Sequence, residues 1–79
     1  MAININTLNR IKDARKVEIS DLVGYRILSG DGHDVTVKAI QALWKMAIFA
    51  DFIIAGRELF AVDYLRGKVT TMRIIPPTA

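Results

Sequence analysis

From Asp34 to Ala50 the chain reads DVTVKAIQALWKMAIFA, with no glycine and no proline and mostly good helix formers. At about 100° per residue, Asp34, Lys38, Gln41 and Lys45 fall on one narrow stripe. Val37, Ala39, Ile40, Leu43, Trp44, Met46, Ala47 and Ile48 fill the rest of the circumference. The pattern predicts a central helix over 34–50. An apolar arc this wide predicts cover on most sides, with Trp44 in the core and one polar seam left outward. Toward the N-terminus, Ile5, Leu8 and Ile11 recur every third position behind Asn4 or Asn6, which predicts a first helix over Ile5–Arg15. Val17 and Ile19 then alternate with Glu18 as in a short strand.

The next stretch is ambiguous. Ser20-Asp21 has the form of a helix start, and Leu22, Val23, Ile27 and Leu28 extend it to a helix over Ser20–Leu28, with Gly24 in the way. The rival is one strand or hairpin arm over Val17–Leu28. Ser29–Asp34 is a turn with two glycines. Beyond the central helix the period shortens. Phe52–Ile54, Leu59–Leu65 and Lys68–Ile75 read as strands, separated by tight turns at Ala55–Glu58 and Arg66-Gly67, and Pro76-Pro77 ends regular structure.

Composition narrows the class. Seventy-nine residues make one domain, spanning 1–79, and an apolar share of 52% supports a packed core rather than disorder. So short a chain buries only roughly 60% of its unfolded surface, so its stability is modest or borrowed from a second copy. There is no cysteine, hence no disulfide frame or thiolate metal site. Met1–Asn6 lacks the features of a secretory signal, and Lys38, Lys45 and Asp51 oppose a membrane span over Val35–Ile54. The expectation is a cytoplasmic protein with no membrane contact. Residues 1–16 carry four cations against one acid, 17–34 one against four, and 35–79 six against three. Two basic segments therefore flank an acidic one, a distribution that permits a polyanionic partner.

Little catalytic chemistry is legible. No Gly-rich phosphate loop, paired-histidine spacing or nucleophile-base-acid set stands out. The one histidine, His33, lies in the turn between Asp31 and Asp34. These three suggest a metal site or general base at first sight, but they lack the spread-out spacing of zinc ligands. The expectation is a non-catalytic binding protein without cofactor or metal.

Two stretches carry a resemblance to the winged helix-turn-helix family. Val17–Leu22 (VEISDL) is similar to the strand leading into that family's second helix. Thr36-Val37, Ile40, Leu43 and Ala47-Ile48 are similar to its third helix. The resemblance implies an α+β fold, a small winged-helix-like domain of three helices with a C-terminal β-hairpin or meander. It also implies a small DNA-binding transcriptional regulator or accessory factor. On that reading Lys38, Gln41 and Lys45 enter the major groove of duplex DNA, and Arg57, Arg66 and Lys68 form a basic wing. Arg10, Lys12 and Lys16 add phosphate contacts.

If Val17–Leu28 is a strand instead, the domain is a four-stranded antiparallel sheet with one long helix packed across it. The expected function is then a protein-protein interaction module, or an inhibitor of a host enzyme encoded by a phage or other mobile element. Trp44, Phe49, Tyr25 and Tyr64 become candidate anchors. In either case the wide apolar arc of the helix implies a homodimer.

Overall fold

Two nearly unbroken apolar runs, Phe52–Ala55 and Leu59–Val62, occupy the middle of one sheet, because strands without alternation must be covered on both faces. The computed structural model describes residues 13–78. In chain order it contains strand β1 (Arg15–Val17), a 3-10 turn (Ile19–Leu22), strand β2 (Arg26–Leu28) and helix α1 (Thr36–Met46). A second 3-10 turn (Ala47–Phe49) leads into strands β3 (Ala50–Ala55), β4 (Glu58–Asp63) and β5 (Lys68–Ile75). The sheet order is β1-β3-β4-β5-β2 and every neighbouring pair is antiparallel.

The C-terminal half is a meander of two hairpins. Ala55 pairs with Glu58 around a two-residue loop, Gly56-Arg57. Gly56 has φ +61° and Arg57 is not positive, the arrangement of a turn with glycine at its first central position. The β4–β5 loop is longer: Asp63 pairs with Lys68, and Gly67 closes it at φ +65°.

One face of the sheet carries α1. Val17, Ile27, Phe52, Ile54, Leu59, Ala61 and Ile74 are buried there with Ile19, Leu22 and Leu43. The other face has its own buried cluster of Ile53, Ala55, Phe60 and Val62, against which Ala14 and Val69 pack. β5 differs from its neighbours: only Ile74 is buried, Val69 and Met72 are half-buried and the rest of the strand is exposed, as expected of a strand nearer the margin.

Several expectations are corrected. Among the described residues there is one α-helix and a five-stranded antiparallel sheet, so the three-helix winged-helix-like fold is overturned. The alternative, an antiparallel sheet with one helix across it, fits, with five strands in place of four. The helix over Ser20–Leu28 is absent. After a single 3-10 turn, closed by the Glu18 N–H bonding the Asp21 carboxylate at 2.8 Å, Gly24 takes φ +90° and the chain extends. Ile27 then pairs with Ile74, burying both. The short strand expected at Val17–Ile19 lies two residues earlier, at Arg15–Val17. The first helix was expected over Ile5–Arg15; residues 5–12 lie outside the described residues, and Arg15 itself belongs to β1. The central helix is shorter than 34–50, because Asp34 bridges Leu28 and Ala47–Phe49 tighten before β3.

Candidate binding surface

The start of α1 is bolted to β2 by one hydroxyl. Thr36 Oγ1 accepts the Ile27 N–H at 2.8 Å and donates to Asp34 Oδ1 at 2.5 Å. The same Asp34 oxygen accepts the Thr36 N–H at 3.0 Å, so Asp34 caps the first turn from just outside it. Arg26 approaches Asp34 Oδ2 with two nitrogens, each at 2.9 Å. Hydrogen bonds from Thr36, with Arg26 adding to them, lower the Asp34 carboxyl from the usual 3.8 to about 2.

From that anchor α1 presses Leu43 into the core, with Ala39, Ile40, Met46 and Ala47 half-buried beside it. The opposite side is open. Val37, Trp44 and Ile48 are 74%, 61% and 91% exposed. With exposed Gln41 they follow one another at i, i+4, i+7 and i+11, a single stripe along the helix and the turn after it. The expectation that the helix is covered on most sides, with Trp44 inside, is thereby corrected. Among the described residues α1 has one sheet to lie on, and a single sheet covers only about half of a helix's circumference. Lys38 and Lys45 are exposed on one flank of the stripe.

On that flank, between α1 and the β4–β5 hairpin, runs a groove of about 380 Å³. Leu43, Met46, Phe49, Ala61 and Met72 make its apolar floor, and Lys45, Arg66 and Lys68 stand at its rim. Asp63 is buried in its wall. It accepts the Arg66 N–H and a guanidinium N–H, each at 3.0 Å. The backbone bond is the larger reason its carboxyl lies below the ordinary value. That pair leaves Lys45 and Lys68 without ion-pair partners among the described residues. On the other flank a smaller groove of about 220 Å³ is lined by Trp44, Ala47, Val17, Ile19, Glu18 and Ser20.

The residues singled out from the sequence are thus partly gathered. Lys45, Arg66 and Lys68 share one groove, and Lys38 and Gln41 lie on the outer side of α1. Arg57 sits in the β3–β4 turn, at the other end of β4 from Arg66 and Lys68. Lys16, on β1, pairs with Asp51 at 3.2 Å. Arg10 and Lys12 lie outside the described residues. Comparison of the chain with family models, curated proteins and solved structures finds no match.

The remaining polar clusters are explained locally. His33 Nδ1 lies 2.9 Å from Asp31, and Asp31 also accepts a bond from Ser29, while Asp34 turns away to Thr36 and Arg26. Among the described residues no three His, Cys, Asp or Glu side chains gather as metal ligands. Tyr64 donates to Asp51 at 2.8 Å, which lowers the carboxyl and raises the phenol. Tyr25 accepts from Arg15 at 2.8 Å, and Phe49 lines the groove. Of the four aromatic anchors considered from sequence, Trp44 is the one on the open stripe. Val37 and Ile48 were missed as partners of Trp44, although their spacing was readable. No helix among the described residues is long and apolar enough to cross a membrane.

Proposed function

We propose that this protein is a non-catalytic docking module whose α1 stripe seats in an acid-rimmed apolar groove of another protein. The observation that carries this is the exposure of Trp44 together with Val37 and Ile48 on one helical stripe. A helix laid in a groove uses anchors at this spacing, and tryptophan is enriched among the residues that dominate interface energy. Lys38 and Lys45 flank the stripe on one side and favour a partner whose groove is acidic there. A second copy fits less well. Two antiparallel copies related by a two-fold axis would line up both pairs of lysines along the same edge of the interface. The DNA reading uses Lys38, Gln41 and Lys45 as well, yet it leaves Val37, Trp44 and Ile48 unexplained.

Trp44 is the only tryptophan in the chain, so its fluorescence reports on the stripe directly. The test is affinity capture with the wild type and with Trp44→Ala/Ile48→Ala, followed by titration of the purified captured protein. A blue shift of Trp44 emission and at least about a 30-fold weaker Kd for the double variant are expected, the size of an interface hot spot. Equal binding by the double variant would overturn the reading. So would sedimentation showing self-association as the sole complex, or duplex DNA binding whose affinity falls steeply with salt while the captured protein binds elsewhere.

A further inference from the structure

β5 is only partly covered on its outer side. β2 pairs with it at Arg73, Ile74 and Ile75 and then ends, since Leu28 is opposite Arg73. The direction of the free backbone groups follows from Ile27. Its N–H bonds Thr36 and its carbonyl accepts the Val35 N–H at 2.8 Å, so both point away from β5. The bonds between β2 and β5 therefore run through Arg26 and Leu28 to Ile75 and Arg73. Stepping back by two along β5, the N–H and C=O of Thr71 and Val69 point to the same side. Among the described residues no backbone group meets them there. The side chains flanking this edge on the α1 side, Lys68, Thr70 and Met72, line the groove with Lys45 and Arg66.

We infer that this open edge takes an extended peptide segment of another protein as a sixth strand, apolar at alternate residues and carrying carboxylates at its C-terminal end. Both neighbours of β5 are antiparallel to it, and an added antiparallel strand runs from Met72 toward Lys68. Its alternate side chains enter the floor formed by Met72, Met46 and Phe49, and its C-terminal end arrives at Lys68, Lys45 and Arg66. Main-chain bonds to Val69 and Thr71 supply the ladder, and the cationic rim selects the acidic end. A second copy of the chain is a poor occupant. Paired through the same residues about Thr70, it would place its Gly67 opposite Arg73, where Leu28 already sits. The site shares Lys45 with the flank of the Trp44 stripe but none of Val37, Trp44 or Ile48, so loss of those anchors tests the stripe alone and either proposal can fail by itself.

The probe is a synthetic peptide alternating valine and threonine and ending in two glutamates, titrated into the ¹⁵N-labelled full chain. Binding should shift the Val69 and Thr71 amide signals and slow their exchange with solvent. A peptide with its edge-facing nitrogens methylated, and one ending in two lysines, should each bind at least about tenfold more weakly, since one loses the ladder and the other meets the rim with like charge. Lys45→Glu/Lys68→Glu should reverse the preference between the glutamate and lysine peptides. Amidating the C-terminus should leave the affinity unchanged, because the carboxylates of a segment are side chains; loss of binding on amidation would overturn the inference. Binding unaffected by nitrogen methylation, unmoved Val69 and Thr71 amides, or no binding by the glutamate peptide would each overturn the inference. None of these readouts should change in Trp44→Ala.

Discussion

Thr36 stands where β2, the Gly-rich turn and α1 meet, and its hydroxyl satisfies a donor that no strand can reach. Ile27 is fully buried, and its N–H faces away from the sheet. Thr36→Val keeps the shape but leaves that N–H without a partner, at a cost of about 1–3 kcal/mol. For a domain of this size each kcal/mol lowers Tm by about 4–8 °C, so calorimetry should show a clear loss, and Thr36→Ser should recover much of it. Asp34 adds a pH dependence. Its folded value of about 2 lies below the usual 3.8, so the folded state binds fewer protons than the unfolded one. The stability it contributes is complete above 3.8 and is lost as pH falls through about 2. Asp34→Asn should therefore be less stable than wild type at neutral pH, and its urea midpoint should fall less steeply through that acid window. An unchanged slope would mean that the Thr36 and Arg26 contacts do not hold the carboxylate in solution.

At the scale of the element, α1 shows how two adjacent apolar residues take opposite fates. Leu43 is 2% exposed and Trp44 61%. Leu43→Ala should cost about 2–5 kcal/mol, whereas Trp44→Ser should change stability by no more than about 0.5 kcal/mol. Urea unfolding of the pair checks this directly. A large loss for Trp44→Ser would place the side chain inside. The spacing of the stripe was visible in the sequence, and the outward position of Lys38, Gln41 and Lys45 was read correctly. Which apolar residues would join them was not. Hydrophobic periodicity shows that a helix has a wide apolar arc, but not how much of that arc its neighbours can cover. Strands were easier. The turns at Gly56 and Gly67 and the apolar runs between them delimit the C-terminal meander from composition and local backbone geometry alone. β1 and β2, three residues each, are too short to carry a period, and their pairing with β3 and β5 is set by the sheet they join.

For the molecule as a whole, the notable feature is a sheet whose two central strands are buried on both sides. Leu59 and Phe60 are neighbours in β4 and point to opposite faces, yet they are 0% and 4% exposed. Leu59→Ala and Phe60→Ala should each cost about 2–5 kcal/mol, a large part of the total stability of a small domain. Thermal unfolding of the two variants tests the two faces separately. A mild effect for Phe60→Ala alone would show that the face away from α1 is solvated. The same architecture leaves the two binding surfaces proposed above: among the described residues α1 lies on the sheet with its outer side open, and β5 runs past the end of β2.

Local chemistry was enough to indicate a packed core, a mid-chain helix after a Gly-rich turn, three successive C-terminal strands and lysines on the helix exterior. These follow from interactions between residues a few positions apart, where propensity, turn geometry and periodicity act. Whether Arg26–Leu28 would extend, whether Trp44 would be covered, and which part of β5 would lack a neighbour depended on partners far along the chain, as in the pairing of Arg26–Leu28 with Arg73–Ile75. Such contacts are chosen by competition for one shared core and one shared sheet, and that competition has no local signature to read.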